Sequence, residues 1–255
     1  MGTPLALALL KQGYSIKGTT TDENKTTFLA GLGIQPYLLQ LTEREIKGRI
    51  DAFLEEITVL IVNIPPVLRN SSQGSYTKKM QLLLQKVETS EIENVIFVSS
   101  TSVYGACDGI ITETTTPNPQ TESAKQLLEV EHMFQSLNSI GTTVLRFGGL
   151  IGPDRHPITH LSGKTGLQNG ADTVNLIHLD DCIAMISNII NENYWKIVLN
   201  GVYPEHPTKQ TYYTKEALKR QIAPPHYLRS EMKKTSKIIS TADFYVKKHP
   251  FLTSI

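Results

Sequence analysis

Short apolar runs alternate with amphipathic segments along most of this chain. The runs at 59–64 and 95–98 are almost entirely apolar and rich in β-branched residues, which is typical of parallel strands buried on both faces. Between them, residues 76–88 place Met80 and Leu83 on one side at helical spacing. The pattern therefore predicts strand, helix and strand in succession.

The same reasoning covers nearly the whole chain. It predicts helices over 2–13, 23–31, 42–57, 76–88, 121–137, 180–191 and 214–221, and strands over 14–19, 34–39, 59–64, 95–98, 142–147, 174–179 and 197–202. Alternation at these lengths indicates an α/β fold with a doubly wound parallel sheet covered by helices on both faces.

The second half of the chain departs from this alternation in two places. Residues 148–170 are rich in glycine and too long for a simple connection, and from residue 203 the chain becomes proline-marked and tyrosine-rich. We therefore expect residues 1–150 and 174–202 to form the α/β domain. Residues 151–173 and 203–255 would form a small lobe that binds substrate.

Composition and charge exclude several classes of function. A net charge of +1 without a dense Lys/Arg run argues against nucleic-acid binding. No apolar run is long enough to span a bilayer, and the first residues lack the basic region of a signal peptide. Cys107 and Cys182 have neither disulfide-framework nor zinc spacing. We expect a soluble cytoplasmic protein with no metal, membrane or nucleic-acid partner.

Hydroxyl side chains follow the apolar run at 95–98 directly. Ser99, Ser100, Thr101 and Ser102 stand where the strand would end, and ligands of open α/β sheets bind at the carboxyl ends of strands. This position predicts a functional site. A serine-rich turn without chemistry explains the same residues equally well.

Four segments in order carry a family resemblance. They are Gly2-Thr-Pro-Leu-Ala, Ser99-Ser-Thr-Ser-Val-Tyr-Gly, Leu145-Arg-Phe-Gly-Gly-Leu-Ile-Gly-Pro and Leu176-Ile-His-Leu-Asp-Asp. Together they resemble the extended short-chain dehydrogenase/reductase superfamily in its NAD(P)-dependent epimerase/dehydratase branch, which implies a Rossmann-like fold. The segments Pro204-Glu-His-Pro-Thr and Lys237-Ile-Ile-Ser resemble those of an atypical bacterial subgroup that lacks the active-site tyrosine.

The resemblance implies catalytic residues, with one departure. The family uses a Ser or Thr at the strand end, a Tyr as general acid/base, and a Lys four residues later that lowers the tyrosine pKa and holds the nicotinamide ribose. Ser100 matches the first and Lys125 the last, but Thr121 stands in place of the tyrosine. A threonine hydroxyl is a poor base near neutral pH. Tyr104 or a residue of the small lobe is the alternative, although Tyr104 normally shapes the sugar pocket in this family.

The resemblance also implies where a dinucleotide would bind. Gly2 matches the last glycine of the phosphate-binding turn. The residues at strand ends that match the family's cofactor site are Asn63, Ile64, Pro65, Ser99, Thr19, Thr20 and Thr21. Lys25 lies one helical turn after these threonines. An NAD-binding member would place a carboxylate near Thr20. Hydroxyls and an ammonium suit a 2′-phosphate instead, so NADP is expected rather than NAD. A threonine-rich turn with Asp22 capping the next helix is the alternative.

The amino terminus is the second departure from the family pattern. The family begins with a strand and a glycine-rich turn, and only the last glycine of that turn is present here, as Gly2. The expectation is an amino-terminally truncated sequence. The alternative is a naturally shortened protein that binds dinucleotide poorly or not at all.

Three further residues are candidates for substrate binding. Arg146, Arg155 and His156 flank the glycine-rich loop and could hold an anionic substrate such as a sugar-nucleotide phosphate, or they could be surface charges. His178 lacks a third metal ligand at suitable spacing, which favours a hydrogen-bonding role. Two functions stay open: an NAD(P)-dependent oxidoreductase or epimerase of the sugar-nucleotide type, and a catalytically impaired NAD(P)-binding module that senses redox state or serves as a partner subunit. A homodimer is also left open.

Overall fold

The computed structural model describes residues 1–66, 74–228 and 236–255. Its helices are α1 (Gly2–Lys11), α2 (Asn24–Gly31), α3 (Ile50–Leu54), α4 (Tyr76–Glu88), α5 (Glu122–Gln135), α6 (Ile158–Leu161), α7 (Leu179–Asn191), α8 (Lys209–Lys219) and α9 (Asp243–Lys248). Its strands are β1 (Lys17–Thr20), β2 (Gln35–Leu38), β3 (Gln40–Leu41), β4 (Ile46–Lys47), β5 (Val59–Val62), β6 (Asn94–Ser100), β7 (Gly109–Ile111), β8 (Gly141–Phe147), β9 (Gly149–Ile151), β10 (Leu176–His178), β11 (Val198–Gly201) and β12 (Lys237–Ile239).

Four parallel strands form the central sheet in the order β11-β8-β6-β5. Strand β6 lies in the interior, and its last residue, Ser100, is opposite Phe147 of β8. Right-handed crossovers through helices are the usual way to join such strands. The predicted α/β class with a parallel sheet is confirmed.

Helices cover both faces of this sheet because its strands alternate their side chains between the two. Phe97 faces a core formed with α3, α4 and α5, whereas Ile96 faces a second core formed with α1 and α7. Val144 and Leu145 of β8 divide in the same way. The near-continuous apolar runs are therefore explained by burial on two sides.

Strands β1 and β2 form a separate two-stranded parallel sheet. Within the described residues, no ladder joins β1 to a strand of the central sheet. The two sheets still share a core, since Ile16 beside β1 and Ile61 of β5 both pack against the cluster that contains Leu5 and Leu9 of α1.

A third apolar cluster lies outside the two main cores. It joins Ile151 and Ile158 of the glycine-rich region, and Val174 just after it, to Tyr212 and Ala217 of α8. Residues distant in the sequence thus share a small core of their own. The division into an α/β domain and a substrate lobe stays a prediction.

The predicted helix over 42–57 is wrong in most of its length. Strands β3 and β4 form an antiparallel hairpin there, and only Ile50–Leu54 is helical. Gly48 explains the break, since its φ is +103° and a Cβ at this position would lie 2.2 Å from the Leu38 carbonyl oxygen. The apolar spacing of the segment was therefore misleading.

Candidate active site

Ser100 ends β6 at the carboxyl edge of the central sheet. Its Oγ accepts a hydrogen bond from the Ser102 N–H at 3.1 Å and begins a short 3₁₀ helix, Thr101–Tyr104. Because β5, β6 and β8 are parallel, their carboxyl ends share this edge. The serine hydroxyl is half-buried at the position where an open α/β sheet binds ligands.

Residues 63–65 follow β5 at the same edge. Asn63 is half-buried, while Ile64 and Pro65 are exposed, with 40% of Ile64 accessible. The Tyr76 hydroxyl donates to the Ile64 carbonyl oxygen at 2.8 Å, which ties this strand end to α4. The edge therefore offers an exposed aliphatic surface beside polar groups, a combination common in ligand sites.

Of the threonines of the predicted cofactor site, Thr19 and Thr20 lie on β1 of the separate β1–β2 sheet and Thr21 follows directly. Thr20 Oγ1 accepts from the Asp22 N–H at 3.1 Å, and Asp22 Oδ1 accepts from the Asn24 N–H at 3.1 Å at the start of α2. Asp22 is thus engaged locally, but the N-cap residue of α2 is Glu23, which makes no side-chain cap hydrogen bond. Thr19, Thr21 and Lys25 are exposed, and so is Gly2 at the start of α1.

Thr121 and Lys125 occupy the first turns of α5. Thr121 is the N-cap residue, and its Oγ1 accepts from the Ala124 N–H at 3.2 Å. Its hydroxyl therefore has a helix-capping role at the position where the resemblance predicts the family's tyrosine. Lys125 is exposed one turn later, and α5 packs against the 3₁₀ helix that follows Ser100.

A buried ionic network lies behind Ser100. The Arg146 guanidinium donates to both carboxylate oxygens of Glu131, with Nη2 to Oε2 at 2.6 Å and Nε to Oε1 at 3.2 Å. Arg146 Nη1 also donates to the Tyr104 hydroxyl oxygen at 2.9 Å, and that hydroxyl donates to Asn200 Oδ1 at 2.9 Å. Ser99 Oγ donates to Glu131 Oε1.

This network determines what Tyr104 and Arg146 can do. Burial raises the pKa of the Tyr104 phenol, against the opposing effect of Arg146, so the phenol stays protonated at neutral pH. Burial disfavours the charged form of Arg146, but the hydrogen bonds and charge of Glu131 outweigh it and raise the Arg146 pKa. Only 4% of Arg146 is exposed. The geometry thus favours a structural role for both residues over contact with substrate.

Glu131 and Asn200 are the members of this network that sequence reasoning missed. Glu131 follows Leu127 by four residues on the buried face of α5, and an acidic side chain at such a position needs a buried partner. Arg146 within a fully buried strand is the complementary signal. The two signals together could have predicted the pair.

His156 and Arg155 are neighbours in sequence but occupy different environments. His156 is buried against α8, where its Nδ1 accepts from the Ile158 N–H at 3.2 Å and its Nε2–H donates to the Tyr212 hydroxyl oxygen at 3.0 Å. Burial is the main cause that lowers the His156 pKa. Arg155 is exposed in a turn closed by hydrogen bonds with Gly152. Of the two, only Arg155 presents a free cation to solvent.

His178 has the hydrogen-bonding role that its sequence context favours. Its Nδ1 accepts from the Asp180 N–H at 3.2 Å and caps α7. Across residues 1–66, 74–228 and 236–255, no three His, Cys, Asp or Glu side chains are grouped to hold a metal ion.

The parallel sheet with helices on both faces defines a Rossmann-like type of α/β protein. The chain belongs to the NAD dependent epimerase/dehydratase family, whose model matches residues 1–193. The predicted family is thereby confirmed. The atypical subgroup stays a prediction.

Relatives and solved structures agree with this assignment. The chain is 31% identical to Protein YeeZ of Escherichia coli K12 over 241 residues. This alignment covers 94% of the present chain and 87% of YeeZ. The UDP-glucuronic acid 4-epimerase of Bacillus cereus, solved in complex with UDP-glucuronic acid and NAD, superposes with a TM-score of 0.78 at 19% identity over 100% of this chain and 91% of that chain. A functionally unknown conserved protein of Silicibacter pomeroyi superposes with a TM-score of 0.73 at 21% identity, over 96% of this chain and 87% of that chain.

No helix among the described residues is long and apolar enough to cross a bilayer. Cys107 and Cys182 are free thiols. The cytoplasmic location and the homodimer stay predictions.

Proposed function

We propose that this protein is an NADP-dependent oxidoreductase or epimerase that acts on a sugar nucleotide. The observation that carries the proposal is the position of Ser100, a hydroxyl at the carboxyl end of an interior parallel strand in a chain of this family. The Bacillus cereus epimerase of the same fold was solved with a sugar nucleotide and NAD, which supports the substrate class.

The residues at the sheet edge fit a nicotinamide dinucleotide. Ile64 and Pro65 supply exposed apolar surface, and Ser100 supplies a hydroxyl beside them. A bound nicotinamide would supply the hydride chemistry. Ser100 would orient a substrate hydroxyl or carbonyl, Lys125 would hold the ribose hydroxyls, and Arg155 would contact an anionic group of the substrate.

The preference for NADP over NAD is supported by charge at the end of β1. Asp22 Oδ1 already accepts from the Asn24 N–H at the start of α2, and ribose hydroxyls would have to compete with this bond. Thr19, Thr21 and Lys25 are exposed donors that suit a 2′-phosphate. An ammonium facing that phosphate would add a charge-assisted contact that NAD cannot make.

Titration calorimetry with NADPH and NADH tests this preference. We expect the wild-type chain to bind NADPH about tenfold more tightly or better, since one charge-assisted hydrogen bond contributes roughly 1.5–3 kcal/mol. Lys25→Met should remove most of this difference by weakening NADPH alone, and Lys11→Met, at the far end of α1, should change neither affinity. Equal affinities for the two dinucleotides in the wild-type chain would refute the choice of NADP.

A second candidate is an NADP-binding module without turnover. It is favoured by Thr121, whose hydroxyl caps α5 where the family's tyrosine would act as a base. Hydride exchange across a panel of sugar nucleotides separates the two functions. Turnover lost in Ser100→Ala but kept in Thr121→Ala would support the enzyme, whereas tight NADPH binding without exchange would support the module.

A further inference from the structure

A C-terminal segment crosses the ends of the central strands next to Ser100. This segment, residues 237–242, is here called the strap. Its strand β12 pairs in parallel with β7, and Lys237 is opposite Gly109. The Lys237 carbonyl oxygen accepts from Thr173 Oγ1 at 2.7 Å and from Asn175 Nδ2 at 2.9 Å. The backbone at Lys237 is therefore held from two sides.

The remainder of the strap is also anchored to the edge of the sheet. Glu113 Oε1 accepts from the backbone N–H groups of both Asn200 and Ala242, at 2.9 Å each. The Asn200 side chain in turn donates to the Ser240 carbonyl oxygen at 2.9 Å. Asn200 Oδ1 also accepts a hydrogen bond from the Tyr104 hydroxyl, so the strap is connected to the buried network behind Ser100.

Lys237 reaches from the strap to the turn that follows Ser100. Its Nζ donates to the Gly105 carbonyl oxygen at 2.7 Å and lies 3.5 Å from the Thr101 carbonyl oxygen. These two carbonyls belong to the first residue and to the C-cap residue of the 3₁₀ helix. No described carboxylate lies within ion-pair distance of this ammonium. Its hydrogen-bond acceptors are backbone oxygens, and the Cys107 thiol interacts with it electrostatically.

The turn at residues 101–105 is tightly constrained by its own backbone contacts. Gly105 has φ +64°, and a Cβ there would lie 1.9 Å from the Asn118 carbonyl oxygen. The Gly105 N–H donates to the Ser102 carbonyl oxygen, and the Asn118 N–H donates to that of Val103. Lys237 is half-buried, and desolvation lowers its pKa. It is a partly desolvated donor directed at a tight turn.

We propose that Lys237 is a positioning residue, through which the strap holds the turn that follows Ser100 at the sheet edge. The importance of that turn rests on the proposed function, but the mechanical coupling between Lys237 and the turn does not. The coupling predicts that removing the ammonium loosens residues 101–105 while the rest of the sheet stays intact.

Hydrogen–deuterium exchange of the full chain, read by mass spectrometry, tests this coupling. In Lys237→Met, exchange in peptides that cover residues 101–105 should be faster by about tenfold or more, because a charged donor makes one of the stronger hydrogen bonds. Peptides from β8 should not change. Lys237→Arg keeps the donor and charge and should restore slow exchange. Lys247→Met, an exposed lysine of α9, is the matched control and should behave as wild type.

Other results would overturn the proposal. They are unchanged exchange at 101–105 in Lys237→Met, acceleration spread evenly over the whole chain, and failure of Lys237→Arg to restore protection. If Lys237→Met does not fold, Lys237→Gln gives the same comparison with a neutral donor. NADPH titration of the wild-type chain is measured in parallel: absence of binding there contradicts the proposed function alone and leaves the exchange result to decide the role of Lys237.

Discussion

Replacing Glu131 by glutamine should destabilise the protein severely, because it leaves the Arg146 cation buried without a carboxylate. Glu131 is fully buried and Arg146 is 4% exposed, so solvent cannot take over the lost charge. Removing one partner of a buried ion pair costs about 3–5 kcal/mol. For a chain of this size each kcal/mol lowers Tm by roughly 2–4 °C, so we expect a decrease of about 6–20 °C.

Urea denaturation followed by circular dichroism measures the free energy of unfolding directly. Glu129→Gln is the matched control, since Glu129 lies on the same helix with an exposed side chain that accepts a hydrogen bond from Thr77 Oγ1. We expect this control to lose no more than about 0.5 kcal/mol. The double variant Glu131→Gln/Arg146→Met should recover much of the loss, because neither charge remains buried alone. A loss below about 1 kcal/mol in Glu131→Gln would refute this reasoning.

Three further predictions follow from local geometry. Thr121→Ala should lower the free energy of unfolding by about 1 kcal/mol in urea denaturation through loss of the α5 cap, and Thr121→Ser should restore it; no change would contradict the capping role. Gly105→Ala should cost more than about 1 kcal/mol in the same assay, because it combines a positive φ with a Cβ 1.9 Å from the Asn118 carbonyl oxygen, and a neutral effect would disprove the strain. Burial lowers the His156 pKa in the folded state, so as the pH falls below about 6.5 the unfolded chain binds the proton first and stability decreases. His156→Gln should flatten this decrease by up to about 1.4 kcal/mol per pH unit. The free energy of unfolding is measured by urea denaturation between pH 5 and 7. Parallel curves of stability against pH for the wild type and the variant would contradict the role given to His156.

Elements with a strong local pattern were predicted well. Helix α4 has the predicted bounds, since its apolar residues repeat at helical spacing and Ser75 caps its first turn by accepting from the Lys78 N–H.

Helix α8 was predicted less accurately. It begins at Lys209, earlier than the predicted residue 214, because Thr208 Oγ1 accepts from the Thr211 N–H. Both cases show that caps and periodicity determine where a helix lies.

The site was predicted only in part. Position in the chain was enough to place Ser100 at a strand end and Lys125 on the following helix. It was not enough to show that the Thr121 hydroxyl is used as a cap or that Arg146 is bound to Glu131. Those outcomes depend on which side chains approach one another in space.

The sequence by itself determined the alternation of strands and helices, the family, and the hydroxyl at the end of β6. These follow from hydrophobic period and local motifs, which act over a few residues. Only the tertiary structure decided that Tyr104 meets Asn200 and that Lys237 reaches back to Gly105, across separations of 96 and 132 residues. Contacts of this kind depend on how sheets and loops pack, because a buried polar group bonds to whichever partner the fold brings within reach.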